Sequence, residues 1–198
     1  MATMTSKQQA RRERVIEVTM ELAVEGGYDA VQMRDVAMRA DVALGTVYRY
    51  FTCKDQLLVC VMAEWTGQLR DRLAQRPARG DIASAQVADV LQRACRSLER
   101  EPLLAAALVR AMSSSDTGVS QANREVGAHI RAMIEPLLHE LDPETREAVI
   151  VVLNHVWLAT LISWSNGRIV FSQVAEELRS AARLLLDPDP RLPGRGGV

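Results

Sequence analysis

The stretch Met33–Phe51, reading MRDVAMRADVALGTVYRYF, does most to narrow what this chain can fold into. From Arg34 to Ala40, the residues Val36, Ala37 and Ala40 fall at the spacing of one short helix's buried face. Asp41-Val42-Ala43 follows as a corner, and a second short helix runs from about Leu44 to Tyr50. Two short helices around a tight corner with an apolar pivot at Val42 predict a helix-turn-helix, whose second helix lies in the DNA major groove. Val47 and Phe51 recur at i and i+4 and can hold that helix to the core, while Thr46, Arg49 and Tyr50 share another face. A hydroxyl, a guanidinium and a phenol together can reach base edges or phosphate oxygens. Gly45, without a side chain, lets the helix start come close to the DNA backbone. Periodicity alone would also suit an ordinary helical corner.

The residue identities go further than periodicity. Gly27-Tyr28-Asp29-Ala30, the Val36-Ala37 pair, and Gly45-Thr46-Val47-Tyr48-Arg49-Tyr50-Phe51 followed by Lys54 resemble the DNA-binding domain of TetR-family repressors, ungapped over about Arg14–Leu58. Two positions depart from that pattern: Asp41 stands at the usual turn glycine, and Ala43 at the usual serine or threonine that caps the recognition helix. Asp tolerates left-handed geometry better than most residues. The missing cap should cost about 1 kcal/mol, unless the Asp41 carboxylate reaches the free amides. The resemblance implies an all-helical homodimer on a palindromic double-stranded DNA operator. Carried over position by position, its DNA contacts are Arg34, Leu44, Gly45, Thr46, Tyr48, Arg49, Tyr50 and Lys54, with Lys54 clamping a phosphate.

A narrower resemblance is carried by AVQMRDVAMRADVALGTVYRYF, REPLLAAALVRAM, HVWLATLISWSNGR and ARLLL. These runs are similar to the KstR-type regulators of actinobacterial cholesterol-catabolism genes. That likeness implies a steroid side-chain coenzyme A thioester as effector, in a long apolar pocket with Arg110 near its polar end. Loop Ser113–Gly118 and residues 120–141 match less well.

The formal net charge of −1 argues against indiscriminate nucleic-acid binding, so the placement of charge matters more than its sum. Lys7, Arg11, Arg12 and Arg14 precede the first predicted helix against Glu13 alone, a basic arm that can follow the DNA backbone or simply be a solvated terminus. Cys53, Cys60 and Cys95 form neither a paired framework nor a C-x-x-C motif, which suits reduced thiols in a cytoplasmic, nucleoid-associated protein. The N-terminus has no apolar signal core. Residues 148–164 are strongly apolar but interrupted by Asn154, His155, Thr160 and Ser163, which favours a buried helix over a membrane span.

Helices are expected over about Gln9–Glu25 (ended by Gly26-Gly27), from a Thr52-capped start to about Arg76, and over Ile82–Arg100 and Leu103–Met112. Further helices are expected over Ser120–Leu141 (kinked or shortened by Pro136), from Asp142-Pro143-Glu144 to about Asn166-Gly167, and over Ser172–Leu186. The fold class is therefore all-α, with about nine helices. Residues 1–53 form a three-helix helix-turn-helix DNA-binding domain, 54–187 a helical effector-binding and dimerisation domain, and 188–198 a disordered tail.

Nothing in the chain carries catalysis or a cofactor: there is no phosphate loop, no H-E-x-x-H and no G-x-S-x-G. His129, His139 and His155 lack partners at metal-ligand spacing, and His155 reads as a buried, hydrogen-bonded histidine. Trp65, Leu69, Leu91, Leu104, Leu108, Met112, Met133 and Trp157 are candidates for an apolar effector cavity, or equally for plain core. Arg110 either meets the effector's polar end or snorkels to solvent. The helix around 144–166 is apolar nearly all round and must be covered on more than one side. Leu161 and Trp164, with the Val174, Leu178, Ala182 and Leu185 stripe, predict a four-helix dimer interface. The readings left open are a regulator of efflux or fatty-acid genes with another hydrophobic ligand, and an α-helical lipid carrier or enzyme with a vestigial helix-turn-helix.

Overall fold

The structure, a computed structural model, describes residues 4–114 and 116–187. Helices α1 (Ser6–Ala30), α2 (Met33–Arg39), α3 (Leu44–Tyr50), α4 (Lys54–Ala74), α5 (Ala83–Glu99), α6 (Pro102–Met112), α7 (Thr117–Ile134), α8 (Pro143–Ser165) and α9 (Phe171–Leu186) follow one another, with a 3-10 turn at Glu135–Leu138. No strand occurs among the described residues. The segment 188–198, expected as a tail, lies outside them.

The chain divides into two compact units, Met1–Leu69 with Leu98–His129, and Arg70–Ser97 with Ile130–Val198. In the first, α1 packs along α6 and carries the α2–α3 pair. Its core includes Val15, Val18, Leu22, Val36, Val47, Phe51, Leu57, Leu58 and Leu108. In the second, α9 lies on α8, burying Val174, Leu178 and Ala182 against a helix whose inner side is Val149, Leu153, Trp157 and Leu161.

Local chemistry accounts for most boundaries. The Gly26-Gly27 stop is real but internal to α1: Gly26 (φ −150°, ψ 19°) and Gly27 (φ 68°, ψ −156°) break the helical path, and one more turn brings Tyr28 to the head. Only glycine adopts the Gly27 geometry without strain. Pro136 ends α7 in the 3-10 turn, because it removes an amide and crowds the preceding carbonyl. Asp142 caps α8 by accepting from the amides of Glu144 and Thr145 (3.1 and 3.0 Å), which hold its carboxyl below the usual carboxylate range.

Four local expectations need correction. The basic residues do not precede α1. Thr5 and Gln8 form a capping box, so Lys7, Arg11, Arg12 and Arg14 belong to its first turns, and Arg12 lies 5.5 Å from the centre of the Phe51 ring. The Thr52 hydroxyl does not cap α4. It donates to Gln56 Oε1 (3.0 Å), and the Gln56 amide donates instead to Cys53 Sγ (3.4 Å). The loop after Met112 is shorter than Ser113–Gly118, since α7 begins at Thr117; Ser115 lies outside the described residues. His155 is exposed rather than buried, while His129 pairs with Thr66 and His139 Nδ1 lies 3.3 Å from the Pro136 carbonyl oxygen. His129 Nδ1 lies 3.1 Å from Thr66 Oγ1, which also reaches the Met62 and Ala63 carbonyls at 2.9 and 3.0 Å. Gly67 makes room for that ring, since a Cβ there would meet His129 at 3.2 Å.

Candidate functional site

The α2–α3 corner has the geometry its residues imply. Asp41 adopts φ 53°, the left-handed conformation a turn glycine would supply, and the Val42 amide returns to the Ala37 carbonyl (3.0 Å). Nothing caps α3 through a side chain; Asp41 does not reach its first amides, and Ala43 contributes only its carbonyl. Ala43→Ser should therefore stabilise the protein by about 1 kcal/mol, whereas Asp41→Val should cost about 1–2 kcal/mol in the left-handed turn. Urea unfolding curves for the two variants, shifting in opposite directions, check both.

Val47 (0% exposed) and Phe51 (1%) bind α3 to the core, which leaves the opposite side of the helix outward. Leu44, Gly45, Tyr48 and Arg49 are exposed, and Thr46 and Tyr50 half-buried. No side chain approaches the Gly45 Cα side within 4 Å, so the helix start is open to a close neighbour. The Arg49 guanidinium lies 5.3 Å from the Tyr50 ring centre, with its Nη2 3.5 Å from the phenol oxygen, which brings the two groups together on one face. Arg34 is exposed on α2. Arg39 pairs with Glu25 through two bonds of 2.8 Å and ties the end of α2 to α1.

Lys54 is placed differently from a free phosphate clamp. Its Nζ donates to the Tyr28 carbonyl (3.2 Å) and lies 3.9 Å from the Tyr28 ring centre, and burial holds its pKa below the usual lysine value. The Tyr28 hydroxyl donates to Asp55 Oδ1 (2.6 Å). Burial first, and that bond second, push the phenol up to about 12. Residue spacing gave no hint of this cluster, because Tyr28 and Lys54 meet only when the α1 kink returns the chain to the start of α4.

Of the residues expected around an effector, Trp65, Leu69, Leu91, Leu104, Leu108, Met133 and Trp157 are buried, and Met112 is half-buried. Leu91, Met133 and Trp157 belong to the second unit and the rest to the first. The buried Trp157 Nε1–H has no acceptor among the described residues. Arg110 is exposed, and its guanidinium lies 3.8 Å from the Tyr28 ring centre and 3.6 Å from Asp29 Oδ1. A groove of about 540 Å³ between α1 and α4 has Glu13, Glu17, Glu21 and Glu64 on its walls and Ile16 and Met20 in it. Its negative walls repel an anionic ligand, and none of the expected effector residues lines it.

Of the residues expected at a dimer interface, several are covered within the subunit itself. Leu161, Val174, Leu178 and Ala182 are at most 4% exposed inside the second unit, so they serve α8–α9 packing. Trp164 is half-buried, edge-on to Phe171 at 4.9 Å; Leu185 is 37% exposed. What stays open on α8 is Ala148, Val151, Val152, His155 and Ala159, on a helix with no charged residue from 148 to 165. By length and composition α8 could cross a membrane, as many core helices of soluble proteins could.

Comparison with known proteins matches residues 15–61 to the bacterial regulatory proteins of the tetR family and residues 80–185 to the tetracyclin repressor-like C-terminal domain. The HTH-type transcriptional repressor KstR of Rhodococcus jostii is 36% identical over 190 residues, spanning 96% of this chain and 89% of that protein. The crystal structure of a TetR transcriptional regulator from Rhodococcus sp. RHA1 superposes with a TM-score of 0.80 at 31% identity, over 91% of this chain and 97% of that one. FadR of Thermus thermophilus, solved with lauroyl-CoA, shares the fold with a TM-score of 0.72 at 21% identity, over 92% and 99%. These matches cover both halves of the chain, and the relatives are regulators rather than enzymes. The chain belongs to the TetR family of helix-turn-helix transcriptional repressors and is a homologue of the KstR repressors.

Proposed function

We propose that two copies of this chain bind a palindromic DNA operator and release it when an apolar acyl-CoA occupies the effector domain. The observation that carries the DNA half is the outward face of α3, where Tyr48 and Arg49 are exposed beside Thr46 and Tyr50 while Val47 and Phe51 hold the helix from behind. Arg34 and Lys54 complete the proposed contact set. Dimerisation is supported by the open Ala148–Ala159 face of α8, too apolar to be left in water. The protein then works in the cytoplasm, at the nucleoid.

An acyl-CoA effector is supported by the shared fold with a regulator solved with lauroyl-CoA. It is also supported by the unpaired Trp157 N–H, a buried donor suited to a ligand carbonyl. Likeness to the KstR-type repressors favours a steroid thioester over a straight chain. Capture of genomic DNA by the purified protein tests the first half, and release of the captured fragment by a steroid side-chain acyl-CoA tests the second. Release by lauroyl-CoA alone would move the assignment to fatty-acid genes, and release by neither would remove the acyl-CoA.

A further inference from the structure

We infer that Arg110 is a positioning residue for DNA binding, which neutralises Asp29 beside the Tyr28 ring and so leaves Lys54 available to a phosphate. The inference rests on the DNA-binding reading above and adds a residue outside the helix-turn-helix to it. Lys54 at the start of α4 and Arg110 in the last turn of α6 both lie within 4 Å of the Tyr28 ring centre, at 3.9 and 3.8 Å. Asp29 meets Arg110 at 3.6 Å, and Asp55 accepts the Tyr28 hydroxyl at 2.6 Å. Two cations and two carboxylates thus surround one neutral phenol, and their charges balance.

That balance governs what Lys54 can do. To touch a phosphate, its ammonium must leave the Tyr28 carbonyl and ring. The cost of leaving depends on the charge left behind. With Arg110 in place the remaining groups sum to −1, and without it they sum to −2, which holds the lysine inward. Asp29 and Asp55 both attract the lysine, and Arg110 opposes them. Arg110 and Asp29 are well exposed, so their pairing alone contributes little to folding. The ring holds Arg110 where the charge acts on Lys54. Because Arg110 closes α6, a displacement of that turn is felt at the DNA-contacting lysine as the loss of one positive charge.

The test is the affinity of the wild-type protein and its variants for one captured DNA fragment at one salt concentration. Arg110→Gln should weaken binding about 5-fold. Arg110→Lys should stay within about twofold, and Asp29→Asn added to Arg110→Gln should restore binding to within about twofold. Circular dichroism and gel filtration show that the variants keep their fold and association state. The inference is overturned if Arg110→Gln binds as the wild type does, or if Asp29→Asn fails to restore it. It is also overturned if Glu17→Gln restores binding equally, since net charge alone would then explain the effect. Wild-type protein that captures no DNA would overturn the DNA-binding reading itself, and the inference with it.

Discussion

Replacing Val152 by arginine should turn the protein into monomers and weaken operator binding by about a hundredfold or more. Val152 is 41% exposed at the middle of α8, with Ala148, His155 and Ala159 open on neighbouring turns. A guanidinium there must be desolvated if a second copy packs against the helix, and the symmetry of a two-fold interface brings its own image nearby, so the penalty acts twice. The α8–α9 core is not touched, because Leu153, Trp157, Val174 and Leu178 point the other way. The monomer should therefore remain folded. Loss of operator affinity follows because the second head is no longer delivered at high effective concentration. Sedimentation of the variant beside its thermal melt distinguishes this from misfolding: a folded species of unchanged mass would show that α8 is not the interface.

Arg49→Ala should lower operator affinity by about 1–3 kcal/mol per reading head, and Tyr50→Ala by a similar amount. Both side chains lie on the outward face of α3, and the Arg49 guanidinium leans on the Tyr50 ring, so the tyrosine orients it. Arg49 is exposed, so its loss leaves the core intact, whereas Tyr50 is half-buried and edge-on to Phe51 at 6.3 Å, so a thermal melt accompanies that variant. If Arg49 reads a guanine edge, its loss relaxes the preference at one base pair. If it holds a phosphate, all sequences weaken together and the salt slope falls by about 1. Binding curves on the captured fragment and on a scrambled one, at two salt concentrations, separate the two roles. Unchanged affinity in both variants would remove this face as the reader.

Within the head, local chemistry was enough to read the architecture. There, Val47 and Phe51 inside and Arg49 outside depend on contacts a few residues apart, as does the Asp142 cap on α8 in the second unit, and all of these appear in the structure. For the interface, two apolar surfaces competed. Val174, Leu178 and Ala182 looked like a stripe for a partner, yet the subunit itself covers them, and the open apolar face belongs to α8. Periodicity says that a face is buried but not what buries it. Arg110's place beside Tyr28 was hidden for a related reason. Its contact with Tyr28 spans most of the first unit's sequence, so no window contained both.

The sequence by itself determined the all-helical class, the reading helix and the family, because helix periods, turn residues and the Gly45–Phe51 run are local and specific. Only the tertiary structure decided which charges meet. Lys54, alone in sequence a free phosphate contact, is turned onto Tyr28 and shares that ring with Arg110. The physical reason is that burial and Coulomb energy depend on distances in space, which the kink at Gly26-Gly27 and the packing of α1 on α6 set together.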